Sequence, residues 1–386
     1  MQARGALMTR HDTKRLPAAA TGVVRVDEAH LELLTELIRL AWSPAASVEH
    51  VRQARRAAAA VNPHGQGEEV PTFLFMADGR ALGHLTTIPV VLWADGREHR
   101  AYWFKGFWVR PEHRNGPVGF LLLKEAMRHL EASLSMVVQP APRRLFAAFG
   151  LRDLGVIPNY VRLLNPAGVL QRLDRSGHGI VPAWLARLAS QRLCAKAAGA
   201  AAGLALKAWT LPQPSARRAA LEPVAGLDPD AVDRLWRHNR DRLLLAPSSD
   251  HAHLRARYIG KRDIYQAVTL QDPRLGFAIL RRPRQTGDRR LGNVRLATLA
   301  DLFYPLDQPR LGLRLLAAAE QMARELGADA LLCSSSHRAL RPLLRRRGYV
   351  PLGGNVHFMA RGDGIAAIDL ADCWLLRGDG EADDAL

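Results

Sequence analysis

The residues most suited to chemistry form one run, Trp108-Val109-Arg110-Pro111-Glu112-His113-Arg114-Asn115-Gly116-Pro117-Val118-Gly119, lying between a strand-like segment and an apolar helical one. A turn that opens a helix presents unpaired backbone N–H groups and the positive end of the helix dipole, which together hold an anion. A pyrophosphate is the natural occupant. Pro117 supplies no N–H but suits a first helical turn, and Gly116 before it leaves the backbone free to bend.

The elements that must position this turn are legible on both sides of it. A short strand at Val23 to Val26 precedes Asp27, placed to cap a helix with apolar residues at Leu31, Leu34, Ile38 and Ala41. A second helix is expected over Val48 to Val61. Strand-like runs follow at Thr72 to Met76, Ala81 to Trp93 and His99 to Val109, separated by Asp78-Gly79 and Asp95-Gly96. Such dipeptides close tight hairpins, so an antiparallel meander is expected. Beyond the turn come a helix (Gly116 to Leu130), a strand (Leu134 to Val138), a short helix (Pro142 to Phe149) and a strand (Leu154 to Leu164).

The run from Val109 to Gly119 resembles the V-x-P-x-x-R-x-x-G-x-G signature of the GNAT (GCN5-related) N-acetyltransferase family. Arg114 stands at the leading basic position, Asn115 and Gly116 at the variable ones, Gly119 at the last glycine, and Pro117 departs from the central glycine. Downstream, Leu145-Phe146-Ala147-Ala148-Phe149-Gly150-Leu151 resembles the family's L-Y-x-x-x-G-F helix. The resemblance covers about residues 21 to 165 and implies an acyl-CoA site. Phe107, Trp108 and Val109 would bond the pantetheine arm, and Arg114, Asn115, Gly116, Val118 and Gly119 the pyrophosphate. Gln139 stands where the family often has a coenzyme-touching Asn, or is a solvent-facing loop residue.

GNAT chemistry is attack of an amine on a thioester, which needs a base for the ammonium and an acid for the leaving thiolate. The family's acid is commonly the tyrosine of the helix motif, and here that position is Phe146. The strand from Ala101 to Val109 has no carboxylate. The remaining candidates are His84, whose ordinary pKa is close to neutral, and Tyr160, with Asn159 beside it. Each has a structural alternative, a hydrogen-bonded strand histidine and a packing aromatic.

The second half repeats the order of elements more faintly. A helix (Pro229 to Leu243) leads to strands at Ile264 to Leu270, Phe277 to Arg281 and Val294 to Phe303, a long helix (Arg310 to Leu326), a strand (Ala328 to Cys333), a helix (Arg338 to Arg347) and a terminal strand (Val356 to Met359). An internal repeat of this size signals tandem units. The segment Asp307-Gln308-Pro309-Arg310-Leu311-Gly312 lacks the phosphate-loop pattern, and Leu344 stands where the helix tyrosine would be. The run Arg345-Arg346-Arg347 is either an anion grip or a solvated helix face.

The fold class expected is therefore α/β (α+β): two tandem GNAT-like domains, each a mixed, mostly antiparallel sheet flanked by helices. The division is a disordered lead-in over 1–20, an acyl-CoA-binding domain over 21–165, a helical connector over 166–214, a degenerate GNAT-like domain over 215–379 and an acidic tail over 380–386. At 386 residues the chain suits two cores better than one. A net charge of +17, carried almost entirely by arginine, either favours phosphate-rich ligands or reflects a GC-rich genome. Cys194, Cys333 and Cys373 are too few and too scattered for a disulfide framework or a CxxC metal site. No metal is expected, no specific nucleic acid and no transmembrane segment; a peripheral membrane contact stays open, and a reducing cytoplasm fits best.

The reading reached is an N-acyltransferase moving acetyl from acetyl-CoA to an amine of a small molecule or sugar. A FemAB-like aminoacyl transferase and a non-catalytic acyl-CoA-binding module of a polysaccharide or envelope system are the alternatives. Strands four and five splaying before an open groove would favour the enzyme; a groove filled by Trp103, Trp108 or Phe146 would favour the module.

Overall fold

The computed structural model describes residues 21–65, 70–137, 139–172, 219–258, 261–270, 272–285, 293–365 and 368–380. The expected lead-in, most of the connector and all but the first residue of the expected tail lie outside these. Helix α1 is Leu31–Ala41 and α2 is Val48–Val61. Asp27 caps a 3-10 turn at Glu28–His30 rather than α1 itself, its carboxylate accepting from the Ala29 amide at 2.9 Å. Ser47 caps α2 by accepting from His50. Strand β1 is Gly22–Arg25, and β2 (Thr72–Ala77), β3 (Arg80–Ala94) and β4 (Arg97–Val109) form the meander. Both hairpin turns have positive φ at both central residues, 49° and 73° at Asp78-Gly79 and 52° and 72° at Asp95-Gly96, the geometry that matches strand twist.

Then follow α3 (Val118–Arg128), β5 (Ala132–Val137), α4 (Pro140–Ala148), β6 (Arg152–Leu163) and α5 (Pro166–Arg172). The second half comprises β7 (Ala219–Glu222), α6 (Pro229–Arg240), β8 (Leu245–Pro247), α7 (His251–Tyr258), β9 (Tyr265–Leu270), β10 (Phe277–Gln285), β11 (Arg295–Phe303), α8 (Pro309–Glu325), β12 (Ala330–Ser334), α9 (Leu340–Arg346) and β13 (Val350–Arg361). The order β4-α3-β5-α4-β6 recurs as β11-α8-β12-α9-β13.

The sheet runs without a break across both halves, in the order β1-β2-β3-β4-β5-β13-β6-β12-β11-β10-β9-β7, with β8 added to β3. Each half lends its last strand to the other. β13 lies antiparallel against β5, from His357 opposite Val137 to Arg361 opposite Ser133, and β6 lies antiparallel against β12, from Asn159 opposite Ser334 to Leu163 opposite Ala330. The exchanged strands then pair with each other. A buried ion pair fastens the seam: Glu320 on α8 is fully enclosed and accepts from Arg347 at 3.1 and 2.7 Å, with Arg162 of β6 at 3.8 Å. Of the three adjacent arginines, Arg347 is thus structural, while Arg345 and Arg346 are exposed.

Past β13 the chain does not end its packing. Every residue from Cys373 to Asp379 is buried in a strap laid across the second half. No helix among the described residues is long and apolar enough to cross a membrane.

Candidate active site

Strands β4 and β5 run parallel and are paired only from Ala101 opposite Ala132 to Trp103 opposite Leu134. Beyond Trp103 they part. Among the described residues the edge of β4 from Phe104 to Val109 that faces β5 has no ladder partner, so its backbone donors and acceptors line an opening. Within it β4 carries a bulge: Gly106 and Phe107 together oppose the single residue Leu85 of β3, and Gly106 has φ +62°. Glycine takes this left-handed conformation without cost, and the bulge turns the strand. A Cβ at Gly106 would stand 3.3 Å from the His84 ring.

The loop after β4 is anchored from behind. Arg110 is buried, donates to the Ala81 carbonyl at 2.8 Å and pairs with Glu36 of α1. A 3-10 turn at Pro111–His113 follows, and Pro117 occupies the N-cap position of α3. The amides of Val118, Gly119 and Phe120 belong to the first helical turn and have no intrahelical acceptor. Arg114 is exposed, donates from Nε to the Val109 carbonyl at 3.1 Å and lies 5.9 Å above the Trp108 ring. Its cation thereby sits beside the same helix end, a combination that attracts an anion. Asn115 and Gly116 are exposed in the loop.

The structure brings Phe107, Trp108, Val109, Arg114 and Gly119 together. A Cβ on Gly119 would meet Phe107 at 3.2 Å, Leu145 at 3.4 Å and Val109 at 3.8 Å, so α3 lies close against the bulged strand and a side chain there would have to displace its neighbours slightly. Phe146 is buried against Phe104 and Phe107, with ring centroids 5.4 and 5.5 Å away. Strands β4 and β5 part after Trp103, as coenzyme entry requires, while the Phe104, Phe107 and Phe146 rings pack together in the core beneath α3. Trp103 is buried among the residues of the seam, and Trp108 is half-buried. Gln139 is exposed at the N-terminus of α4 and makes no capping bond.

His84 and Tyr160 do not join them as solvent-reaching groups. His84 lies opposite Trp108 on β3, 2% exposed, edge-on to Trp42 at 5.3 Å, with no hydrogen-bond partner for Nδ1. Burial pushes its imidazole down to about 4, so it is neutral at pH 7. Tyr160 on β6 faces the core of the second half, one of its cross-strand partners being Cys333.

A cavity of about 390 Å³ adjoins the bulge on the opposite face of β3 and β4, under α1 and α2. Trp103 and Lys105 of β4 line it, as do His253 and Arg257 of α7 and Gly378 and Gly380 of the strap. Nothing in the sequence marks this pocket, because its walls are ordinary alanines and branched residues from distant segments. An isolated glycine inside the strand-like run was the one signal for the bulge. Among the described residues no cluster of His, Cys, Asp and Glu could hold a metal ion.

No family model and no curated protein sequence matches this chain. Solved structures do. N-myristoyltransferase of Saccharomyces cerevisiae with bound myristoyl-CoA superposes with a TM-score of 0.56 at 14% identity, over 90% of this chain and 84% of that one. A GCN5-related N-acetyltransferase from Anabaena variabilis gives 0.55 at 12% identity over 89% and 72%, and one from Kribbella flavida 0.54 at 13% over 90% and 72%. The chain therefore has the GNAT fold, extended across both of its halves.

Proposed function

We propose that the protein is an acyl-CoA-dependent N-acyltransferase whose coenzyme enters the opening between β4 and β5. The observation that carries this reading is the coincidence of three features: strands that part after Trp103, a bulge at Gly106, and the free first-turn amides of α3 beside Arg114. Backbone groups of Phe107, Trp108 and Val109 hold the pantetheine arm. The pyrophosphate sits on the amides of Val118 and Gly119, with Arg114, Asn115 and Gly116 around it and Gln139 at the far wall.

In the reaction the acceptor nitrogen attacks the thioester carbonyl, the C–N bond forms, the C–S bond breaks, and the pair leaves on sulfur. The proton lost by nitrogen is the one that the thiolate gains. With His84 enclosed and Phe146 unable to donate, we assign this transfer to solvent, and the protein contributes alignment of the reactants. The acyl group is acetyl in the simplest case. Two units, over 21–165 and 215–379, share the work, the first binding coenzyme. Acetyl-CoA and an amine are the partners, and the buried free thiols Cys333 and Cys373 suit a reducing cytoplasm.

One observation favours a second reading, a non-catalytic acyl-CoA-binding module: the family's acid position is a buried phenylalanine packed into the core. Titration calorimetry of acetyl-CoA against the protein and Arg114→Glu, at moderate salt to screen non-specific attraction, tests both. Saturable binding weakened at least tenfold by the variant is expected. No binding by the parent protein sinks the proposal, and binding without thiol release in an amine screen moves the module ahead.

A further inference from the structure

The cavity under α1 and α2 carries an inference about the acceptor, one that rests on the N-acyltransferase reading. It reaches Lys105, the residue before the Gly106 bulge, so an occupant has one end beside the point where the thioester would lie. Its volume, about 390 Å³, is that of a small-molecule site. The body of the cavity is apolar, with Ile38, Val51, Ala58, Ile88, Pro89 and Trp103 on its walls.

The polar groups that do reach the wall are largely committed to one another. Arg55 donates to Thr72 at 2.7 Å, and Thr72 shares a contact of 3.3 Å with Thr86. Asn62 donates to the Pro89 carbonyl at 3.0 Å and accepts from the His64 amide at 2.9 Å. Arg257 is paired with Asp301 at 3.1 Å and Asp379 at 2.8 Å and donates to His253 at 2.8 Å. A sugar brought here would leave its hydroxyls without partners, at a cost of kilocalories per group. A polyamine fares no better, because among the described residues of the lining no carboxylate meets its further ammonium groups, and Asp301 and Asp379 nearby are already paired with Arg257. The exposed groups, Ser43, His50 and Lys105, are confined to the rim.

We infer that the acceptor is a monoamine with an apolar aliphatic or aromatic body, its carbon skeleton filling the space between α2, α7 and the strap and its nitrogen at the Lys105 end. The same setting replaces the base that the strands lack. An ammonium taken out of water into this apolar space gives up its proton more readily than in solution, so the neutral, nucleophilic form is the one accommodated.

Ala58 faces the cavity from a helix whose packing a larger side chain need not disturb, and Ala54, one turn earlier, lines it too. Calorimetry with octylamine, glucosamine and spermidine would compare the parent protein with Ala58→Phe and Ala54→Leu, with acetyl-CoA titrated in parallel. Saturable octylamine binding is expected, weakened at least tenfold in both variants, with none for glucosamine or spermidine and with acetyl-CoA affinity unchanged. Release of coenzyme thiol should follow the same order of amines. Preference for glucosamine or spermidine overturns the inference, as does octylamine binding that is absent or indifferent to both substitutions. If the parent fails to bind acetyl-CoA, the enzymatic reading falls by that measurement alone; octylamine bound in such a protein would not be an acceptor, and the inference falls with it.

Discussion

The two halves place the same opening at the same point of the same element order, and only one of them closes it. In the first half β4 leaves β5 after Trp103, and the gap faces the turn before α3. In the second, β11 leaves β12 after Leu299 opposite Cys333, and the strap fills the gap. Gly378 donates to the Ala300 carbonyl at 2.9 Å, Ser336 donates to the Leu375 carbonyl at 3.2 Å, and Ser335 bridges Leu376. Trp374 lies over Phe303, Tyr304 and His337. A splayed strand pair presents unpaired peptide groups that something must satisfy. The chain's own C-terminal segment does so in one half, and in the other no described strand does.

The largest effect should come from pulling this plug. Trp374 is 2% exposed, and Trp374→Ala removes a buried aromatic, which typically costs about 3–5 kcal/mol. Because β6 and β13 are exchanged, the loss should appear as one cooperative transition at lower urea concentration, not as selective melting of the second half. Acetyl-CoA affinity measured below that transition should stay within about twofold of the parent, since the strap touches neither Arg114 nor the start of α3. Two separate unfolding steps would contradict the exchanged sheet, and a collapse of affinity would contradict the division of labour.

The elements were legible where local chemistry decides them. The Asp-Gly turns and the apolar periodicity of α1 each act within a few residues, so the sequence alone places them. The turn before α3 was legible as a turn for the same reason, being one continuous run from Val109 to Gly119. What stayed hidden depends on partners far along the chain. Nothing local tells β13 to insert beside β5, and nothing in Cys373 to Leu376 marks it as a substitute strand. Tyr160 read as a site candidate because it stands on the last strand of the first domain, yet that strand pairs with β12 and the ring enters the other core. His84 read as a titratable group near the site, and it is near; what sequence could not convey is that Trp42 and the bulge seal it in.

Acid should set the two halves against each other. His84, in the first, is pushed down to about 4 by burial, so as the pH falls from 6.5 the unfolded chain takes up its proton before the folded one does. Stability from this group is full above 6.5 and is lost towards 4, by about 3 kcal/mol at most. Asp301, in the second, is raised to about 6 by burial, against the pull of Arg257. There the folded state binds the proton first, and stability rises as the pH falls from 6 towards the unfolded value. His84→Phe, which keeps an aromatic ring beside Trp42, should flatten the descending limb between pH 6.5 and 4 in urea titrations and leave the Asp301 contribution in place. A slope unchanged by the substitution would show that His84 is not the group responsible.

The finest comparison uses one methyl group in two places. Gly119 on α3 and Gly312 on α8 each face the strand that precedes their helix, and alanine at either gains about 1 kcal/mol in helix propensity. At Gly312 a Cβ would stand 2.7 Å from the Tyr304 ring and 2.8 Å from Leu343, where something must move, and overpacking of this kind costs about 1–3 kcal/mol. Gly312→Ala should therefore lower the urea midpoint and leave coenzyme binding alone. At Gly119 the contacts would be 3.2 Å to Phe107 and 3.4 Å to Leu145, which small shifts relieve, so the propensity gain and the crowding should nearly cancel. The same methyl group narrows the approach to the Val118 and Gly119 amides, and acetyl-CoA affinity should fall several-fold with stability unchanged. If Gly119→Ala binds acetyl-CoA as the parent does while Arg114→Glu does not, the arginine acts through charge at a distance and the helix end is not where the phosphates sit.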